Sequence, residues 1–555
     1  MFAKRLAATL TGLAVVGSLA GCASNKPTTP PSFISVFSSE PQNPLVPTNT
    51  NENGGGAILD TLFVGLVAYE PNGTPYNAVA ESITPNHDST EFRIKLKDGW
   101  KFSNGEPVTA DSFIDAWNYG ADAKNAQLNA DFFSNIQGYD QIGASEEGDS
   151  SASPGKDEKK DAAEPGKLSG LVKVNDREFL VKLVNPESTF STRLGATAYS
   201  PLPAVAFKDM KSFGENPIGN GPYMMDGDGS WTHNVNARLK TNPNFSGKNK
   251  PKNDGLDFRF YTNLDTAYAD VQSGDLDTIR DTVGPHALAS YRADFPDSHS
   301  QDPMASFQSF VLPYNLEHFH NDEEGRLRRQ AISLAVNRKL ITQKLFFDTR
   351  LPASDFGSPT LGQLPNIKGK EILDYDPEKA KHLWAEANKI SPWSGQPIQI
   401  AYNADGGHQG WAEAVTNSIR QTLDVPAQGQ AYPNFKGLRD DIVHKKVVSG
   451  YRSGWQGDYP SIANFLEPQY RTNGSSNDSG YSNPEFDAKL NEAAKQSTPE
   501  AAQKVYDEAQ AILMRDLPQI PLWYPTASTV WNPKLKHVKS NWKGMPIYTD
   551  IIKEG

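Results

Sequence analysis

The stretch EFRIKLKDGWKFSNGEPVTADSFIDAWNYG, residues 91–120, joins a strand pattern directly to a helix pattern. Its first part alternates apolar and charged residues with a period of two, as in a half-buried strand. The apolar positions are Phe92, Ile94 and Leu96. Thr109 then provides a typical N-cap, and the apolar residues up to Trp117 fall on one helical face. A strand followed at once by an amphipathic helix favours a mixed α/β protein.

The same two patterns recur along the rest of the chain. REFLVKLVNP, residues 177–186, again alternates like a half-buried strand, whereas DPEKAKHLWAEA, residues 376–387, begins a helix with proline in its first turn. Residues 326–338 and 498–516 carry further apolar helical stripes, which we expect to pack in the core. Because strands and helices do not strictly alternate, the order predicts an α/β fold with more than one sheet.

The N-terminus has the pattern of a secretory signal. A positively charged start precedes an apolar stretch at residues 6–19, which is too short to span a membrane. The small residues of LAGC then lead to Cys22, the single cysteine of the chain, as in bacterial lipoproteins. We expect residues 1–21 to be removed, Cys22 to carry lipid, and residues 22–32 to form a flexible tether. A secreted protein with an incidental cysteine is the alternative.

Composition excludes several classes of function. The net charge of -12 argues against nucleic-acid binding, which needs a basic surface. With one cysteine, the chain can form neither an internal disulfide nor a cysteine-based metal site. The length indicates more than one domain. Residues 144–167 lack aromatic and branched aliphatic side chains, so we expect a mobile surface loop there.

No catalytic or cofactor motif is visible. The chain has no G-x-S-x-G elbow, P-loop or H-E-x-x-H helix. His318 and His320, with Asp322 nearby, could offer ligands to a metal, but a solvated loop is the preferred interpretation because no further ligands follow at a suitable spacing. The pair Glu323 and Glu324 also predicts a solvated face. We therefore expect no enzyme activity, no metal and no cofactor.

Six segments, in order along the chain, resemble one family: the family 5 solute-binding proteins of peptide ABC importers. The resemblance covers nearly the whole mature chain, from about residue 33 to 553. The segments are LKDGWKFSNGEPVTADSFIDAWNYG (96–120), NPIGNGPYMM (216–225), LRRQAISLAVNRKLI (327–341), GWQGDYPSIANFL (454–466), YSNPEFDAKLNEA (481–493) and LMRDLPQIPLWYPTAS (513–528).

The resemblance implies a two-lobed periplasmic-binding-protein-like fold (class II, cluster C) with two hinge crossings. Lobe 1 would be discontinuous in sequence. An inserted domain, which contains the 144–167 loop, would follow its first piece. The implied boundaries are 33–77, 205–305 and 518–555 for lobe 1, 78–204 for the inserted domain and 306–517 for lobe 2.

The resemblance also implies a ligand anchor at Asp458, in YRSGWQGDYPSIANFL (451–466). In the family, the matching aspartate pairs with the α-amine of a bound peptide. A buried ammonium needs such a counter-ion, and the aromatic residues around Asp458 would exclude water from the pair. From the local sequence alone, a structural aspartate in an ordinary loop is the alternative.

Backbone contacts to the ligand are implied on both lobes. Ser453, Gly454 and Trp455 match a segment that hydrogen-bonds the ligand, with Trp455 lining a side-chain pocket and Gly454 allowing a close backbone approach. Asn51 and Asn53 match a loop of lobe 1 that pairs with the ligand. The alternatives are a core tryptophan and, for NTNENGGG, a capping turn before a helix that begins near residue 57.

The ligand carboxylate requires a cation, and two residues match family positions that serve this role: Arg452 and His408. His408 also precedes a helix, whose N-terminus favours anions. Val443 departs from the family pattern, because some members carry an arginine there. The alternative for Arg452 is an ion pair at the surface or between strands.

Three phenylalanines could line the binding cavity, with the hydrophobic core as the alternative: Phe133, Phe307 and Phe310.

The resemblance implies a monomeric receptor that is lipid-anchored outside the cytoplasmic membrane. It would capture short peptides and deliver them to an ABC permease with ATPase subunits. An oligosaccharide, a nickel chelate or a small amine is the alternative ligand on this scaffold. A surface adhesin or hydrolase is the alternative from another class.

Overall fold

We describe a computed structural model of the chain, which places residues 32–142, 166–361, 366–496 and 498–554. The predicted signal peptide, the lipid-bearing Cys22 and all but the last residue of the predicted tether lie outside the described residues. Residues 144–165 of the predicted surface loop also lie outside them.

The strands are short apart from one of twelve residues near the C-terminus. In chain order they are β1 (Phe33–Ser38), β2 (Val67–Tyr69), β3 (Pro75–Asn77), β4 (Ala80–Pro85), β5 (Glu91–Leu96), β6 (Leu171–Asn175), β7 (Glu178–Lys182), β8 (Tyr223–Met225), β9 (Trp231–Thr232), β10 (Asn236–Thr241), β11 (Gly255–Phe260), β12 (Thr278–Ile279), β13 (His299–Pro303), β14 (Ser306–Val311), β15 (Arg350–Pro352), β16 (Ile398–Asn403), β17 (Ala427–Tyr432), β18 (Gly450–Gln456), β19 (Ile520–Trp531), β20 (Leu535–Lys536) and β21 (Ile552–Lys553).

The helices lie mostly in the second half of the chain. They are α1 (Asn53–Leu62), α2 (Ala110–Ala121), α3 (Tyr139–Ile142), α4 (Phe190–Arg193), α5 (Met210–Glu215), α6 (Leu264–Ser273), α7 (Tyr291–Asp294), α8 (Glu323–Leu334), α9 (Arg338–Lys344), α10 (Pro377–Ile390), α11 (Gln409–Leu423), α12 (Phe435–Val443), α13 (Ile462–Tyr470), α14 (Pro484–Ala494) and α15 (Pro499–Asp516).

One large mixed sheet organises the described chain. Its strand order is β17-β16-β18-β14-β19-β12-β1-β11-β10-β8, with β13 and β15 also paired to β19 and β9 paired to β10. A separate four-stranded sheet, β4-β5-β7-β6, contains the strand predicted at 91–96. The α/β class with more than one sheet is therefore confirmed.

The long strand β19 connects the two halves of the large sheet. Its first residues pair with β14, whereas its last residues pair with β12 and β13. The chain also passes between the halves at residues 304–305, between the end of β13 and the start of β14. Within the described residues, the segment at 304–305 and the strand β19 thus both connect the two halves.

The described chain has two large hydrophobic cores, and the larger one extends across this junction, because it includes Ile279 of β12 as well as Phe307 of β14. The larger core draws mainly on residues 267–530, and the smaller core mainly on residues 34–258. Tyr459, which follows β18, is buried in the smaller core, whereas Phe465, only six residues later, belongs to the larger core. The segment that starts at Asp458 therefore lies where the two cores meet.

Local sequence patterns fold as predicted where their period is strong. Phe92, Ile94 and Leu96 of β5 are buried, and Trp117 of α2 is fully buried. Helix α10 begins at Pro377, and the side chain of Asp376 caps it by accepting a hydrogen bond from the amide of Lys379 (3.0 Å). The periods of two and 3.6 residues report burial directly, because each follows from backbone geometry.

Two local predictions were wrong. Helix α1 begins at Asn53 rather than near residue 57, so the three glycines lie inside its first turn, and the carboxylate of Glu52 accepts the amide hydrogen bond of Gly55 (3.0 Å). The loop at His318 is not solvated. His318 is 7% exposed, and its Nδ1 lies 2.6 Å from Oε1 of Glu324, which is itself buried.

In the described ranges of the chain, no group of three or more His, Cys, Asp or Glu side chains is arranged to hold a metal ion. No helix in the same ranges combines the length and the apolar character needed to cross a membrane.

Candidate functional site

The candidate site is formed by the end of β18 and the loop that joins it to α13. Gly457 anchors this loop by donating its amide hydrogen to the carbonyl oxygen of Ala305 (2.7 Å). Ser461 caps α13, accepting a hydrogen bond from the amide of Ala463 (3.3 Å). Pro460 packs against Gly73, which belongs to the smaller-core side of the junction. These contacts place Asp458 where the two cores meet.

Asn464, in the first turn of α13, holds the site together. Its Oδ1 accepts hydrogen bonds from the amide of Asp458 (2.8 Å) and from Nε1 of Trp455 (3.2 Å). Its Nδ2 donates to Oδ2 of Asp458 (3.0 Å). Asn464 is only 2% exposed, so these hydrogen bonds fix both neighbours with little competition from water.

The carboxylate of Asp458 is partly buried and has no ion-pair partner among the described side chains. Burial raises its pKa, while the hydrogen bond from Asn464 and the positive charges of Lys543 and Arg193 partly oppose that rise. Lys543 is engaged elsewhere, because its Nζ lies 3.1 Å from Oδ2 of Asp60. Asp458 is therefore a partly desolvated acid that would gain from a cation brought by a ligand.

Strand β18 has an open backbone edge next to this acid. On one side it pairs with β14 along its length, from Gln456↔Ser306 to Tyr451↔Val311. On the other side, β16 pairs only at Gly450 and Tyr451. Residues 453–456 thus have no strand partner on that edge within the described chain. An extended peptide could add there as a further strand.

Gly454 is required by the sheet itself. A Cβ at this position would lie 2.8 Å from the carbonyl oxygen of Phe307 on β14. The close backbone approach that the glycine permits is therefore made by the neighbouring strand. Ser453 pairs with Ser309 in the same ladder, and the ring of Trp455 packs against the larger core while its indole N–H reaches Asn464.

Arg452 and His408 lie close enough for the charge of Arg452 to act on His408, and each also has protein contacts. Nε of Arg452 donates to Oδ1 of Asn403 (2.9 Å), and its guanidinium lies over the ring of Phe435. His408 accepts a hydrogen bond at Nδ1 from Nε1 of Trp411 (3.0 Å). Burial lowers the pKa of His408 to about 3, with a smaller contribution from the positive charges of Arg452 and Arg350. His408 is thus neutral at physiological pH. Val443, the departure from the family pattern, is exposed.

The predicted residues of the first lobe are exposed at the start of α1. Asn51 accepts a weak hydrogen bond from Nδ2 of Asn43 (3.4 Å). Asn53 lies closer to charged groups: its Oδ1 accepts from Nη1 of Arg280 (2.9 Å). Asn53 also lines a cavity between the sheet halves, whereas Asn51 does not.

The three candidate phenylalanines are core residues. Phe133 is fully buried with the rings of Trp117 and Tyr199, whose centroids lie 6.3 and 5.4 Å away. Phe307 and Phe310 are 1% and 0% exposed within the larger core. Their contacts favour the alternative of core packing over the cavity wall.

A cavity of about 280 Å³ opens between the sheet halves beside the end of β18. It brings together residues that are far apart in sequence, including Asn53, Asp281, Met304, Arg350, Gln456 and Thr526. Sequence reasoning missed Arg350 and Asn464. Arg350 has no local signal, since it follows an ordinary helix and loop. Asn464 offers a weak signal, as a polar residue inside the apolar run IANFL.

Comparison with known proteins agrees with this architecture. The family model described as "Bacterial extracellular solute-binding proteins, family 5 Middle" matches residues 74–477. The oligopeptide-binding protein OppA of Bacillus subtilis (strain 168) is 27% identical over 507 residues, which cover 89% of this chain and 88% of that protein.

Solved structures share the fold at lower identity. Haemophilus influenzae OppA in complex with RPPGFSPFR superposes with a TM-score of 0.78 at 21% identity, over 95% of this chain and 100% of that chain. The ABC transporter-associated periplasmic binding protein DppA of Helicobacter pylori, in complex with the peptide STSA, gives 0.75 at 16%, over 94% and 98%. The fold is therefore that of the two-lobed periplasmic binding proteins, and the chain belongs to family 5 of the bacterial extracellular solute-binding proteins.

Proposed function

We propose that this protein captures short peptides between its two lobes and delivers them to an ABC importer. The observation that carries the proposal is the position of Asp458. This partly desolvated carboxylate has no ion-pair partner among the described side chains, lies where the two cores meet, and follows a strand whose outer edge is open. A cationic amine and an extended backbone are the two features that every unblocked peptide offers to such a site.

The relatives support a peptide as the ligand. The matched Bacillus subtilis protein is named an oligopeptide-binding protein, and the two superposed structures hold peptides. One of those structures is also described as ABC transporter-associated. On this basis we assign a permease and ATPase subunits as the partners of this chain.

In the proposal, the lobes keep the predicted boundaries. Residues 33–77, 205–305 and 518–555 form lobe 1, residues 78–204 are the inserted domain, and residues 306–517 form lobe 2. The connection at 304–305 and the pairing of β19 with both halves of the sheet support two hinge crossings. Ligand favours the closed state, because only closure lets both lobes contact it.

The proposed binding residues follow the site geometry. Asp458 receives the α-amine, and the open edge of β18 at Ser453 and Gly454 receives the ligand backbone. Trp455 borders a side-chain pocket. From lobe 1, Asn53 reaches the ligand, since it lines the cavity between the halves. No step in this mechanism makes or breaks a covalent bond, so the protein acts as a receptor rather than an enzyme.

Localisation is part of the same proposal. Lipid on Cys22 would hold the monomeric receptor at the outer face of the cytoplasmic membrane, since two acyl chains are sufficient for stable anchoring. The rest of residues 22–32 would serve as the tether.

Native mass spectrometry of the gently purified protein tests the function. We expect a series of excess masses that match short peptides and that disappear after unfolding and refolding. Excess masses spaced by sugar units, or a protein that carries no peptide and binds none in calorimetry, would contradict the proposal.

A further inference from the structure

We propose that the cavity beside Arg350 is a carboxylate-binding subsite, in which the Arg350 guanidinium receives an anionic group of the ligand. This inference rests on the proposed peptide-binding function and adds a residue that the site described above does not include. The carboxylate could come from the C-terminus of a peptide or from an acidic side chain.

The side chain of Arg350 lacks the partners that a structural arginine normally has. It is partly buried, and its Nε–H group is shielded from solvent but donates no hydrogen bond to any described residue. No carboxylate lies within ion-pair distance among the described residues. The guanidinium stacks on the ring of Phe346, with Cζ 4.4 Å from its centroid. Stacking orients the planar guanidinium group but leaves its N–H groups without hydrogen-bond acceptors.

Other buried arginines of the chain are served by oxygen atoms. Arg329 donates to the carbonyl groups of Asp516, Phe319 and His320. Arg328 pairs with Glu324 at 2.8 Å. Arg338 donates from Nε to the carbonyl of Pro521 (2.7 Å). Arg350 differs from all three, which argues against a purely structural role.

The cavity presents Arg350 to the space between the sheet halves. Asp281 lines the same cavity, but its Oδ2 lies 2.8 Å from Nη1 of Arg280, so its charge is already balanced. Gln456 and Asn53 supply further polar groups to the cavity lining. A volume of about 280 Å³ accommodates a carboxylate with one or two neighbouring residues.

The position of the cavity fits a ligand whose amine is held at Asp458. Gln456 lies two residues before Asp458, a span of at most about 7 Å in an extended chain. The positive charge of Arg350 also reaches His408 and contributes to lowering its pKa. Arg350 therefore adds positive potential near Gln456 of β18 and near His408. A guanidinium binds a carboxylate through two parallel hydrogen bonds, which gives this subsite its selectivity.

Calorimetry with the Arg350→Gln variant and paired peptides tests the subsite. The peptides are Ala-Ala-Ala and its C-terminal amide, and Ala-Glu-Ala and Ala-Gln-Ala. Within the pair whose carboxylate occupies the subsite, we expect Arg350→Gln to weaken binding of the peptide that carries this carboxylate at least tenfold. Removing the relevant carboxylate from the ligand should abolish the difference between the two proteins. Amidation identifies the C-terminus as the source, and the Glu-to-Gln exchange identifies the side chain.

Two further variants keep the outcome interpretable. Arg350→Lys retains the charge without the fork, so its affinity should lie between those of the other two proteins. Arg93→Gln, on the separate four-stranded sheet, removes an arginine paired with Glu178 and should leave every affinity unchanged. Equal weakening of all four peptides by Arg350→Gln, or no weakening of any, would overturn the subsite alone. Failure of the unsubstituted protein to bind any peptide would overturn the peptide function and the subsite together.

Discussion

Replacement of Asp458 by asparagine is the most informative single perturbation of the site. Asparagine keeps the shape of the side chain and an oxygen that can accept the hydrogen bond from Nδ2 of Asn464. The amide of residue 458 also keeps its bond to Oδ1 of Asn464. The substitution therefore removes the negative charge while leaving the loop geometry in place.

The expected loss of affinity follows from the environment of that charge. Removing one partner of a fully buried, hydrogen-bonded ion pair costs roughly 3–5 kcal/mol. Asp458 is only partly buried, and the positive charges of Lys543 and Arg193 already act on it. We therefore expect the lower part of the range measured for truncated charge pairs, about 2–3 kcal/mol, or roughly a 30- to 140-fold increase in Kd.

The stability of the ligand-free protein should change in the opposite sense. Burial raises the pKa of Asp458, so the folded state holds its proton more tightly than the unfolded state does. The free energy of unfolding consequently falls as the pH rises from the ordinary aspartate pKa through the raised value. Asparagine does not carry this penalty, and Asp458→Asn should be at least as stable as the unsubstituted protein at pH 7.

Calorimetric titration with Ala-Ala-Ala, together with urea unfolding at pH 7, separates these effects. An N-acetylated peptide should bind weakly to the unsubstituted protein and no worse to Asp458→Asn, because it brings no ammonium group. Equal affinity of both proteins for the free peptide would refute the reasoning. So would a loss of affinity accompanied by a matching loss of folding stability, which would indicate a structural role.

Three other substitutions have defined outcomes. Asn464→Ala should lower the free energy of unfolding by about 2–4 kcal/mol in urea unfolding, because it leaves the amide of Asp458 and the indole N–H of Trp455 without a partner; an unchanged midpoint would contradict this. Gly454→Ala should lower the free energy of unfolding by about 1–3 kcal/mol, because the new Cβ meets the carbonyl oxygen of Phe307 at 2.8 Å. An unchanged free energy of unfolding would show that β14 shifts to accommodate the methyl group. His408 has a pKa lowered to about 3, so protonation favours the unfolded state and stability is lost as the pH falls below about 6.5. As the pH falls from 6.5 to 4, the free energy of unfolding of His408→Gln should therefore rise relative to that of the unsubstituted protein, by at most about 1.4 kcal/mol per pH unit. A difference in unfolding free energy that does not change with pH would show that the pKa of His408 is not lowered in this range.

The parts of the fold that sequence predicts are those specified by local backbone geometry. The alternation in β5 and the helical stripes of α2 and α10 each place apolar residues on one face, and those faces are buried. Caps such as Asp376 are equally local, since the capping side chain and the amide it binds are three residues apart. Such features need no information from distant parts of the chain.

The wrong predictions arise where contacts between residues distant in sequence determine the local structure. The glycines before residue 57 resemble a turn, but they lie inside α1. Gly54 is required there because a Cβ would come 2.7 Å from the carbonyl oxygen of Ser39, which is distant from the helix in sequence. His318 lies in a polar segment, yet its ring packs at a tilt against the ring of Trp393, with a centroid distance of 4.9 Å. Neither partner can be identified from the local residues.

The candidate site shows the same division. The segment around Asp458 was recognisable through its resemblance to a family, and the structure places it at the junction of the two cores. Its local support by Asn464 depends on how α13 packs against the end of β18. Arg350 joins the cavity only because β15 pairs with β19, which brings together parts of the chain about 170 residues apart. Such residues emerge from tertiary structure alone.

The central claim is that a peptide binds between the lobes with its α-amine at Asp458, and a crystal structure of the protein with bound Ala-Ala-Ala tests it most directly. We expect the peptide nitrogen within about 4 Å of a carboxylate oxygen of Asp458 and the peptide backbone paired with the open edge of β18. A peptide bound elsewhere, or bound with its amine turned away from Asp458, would contradict the account.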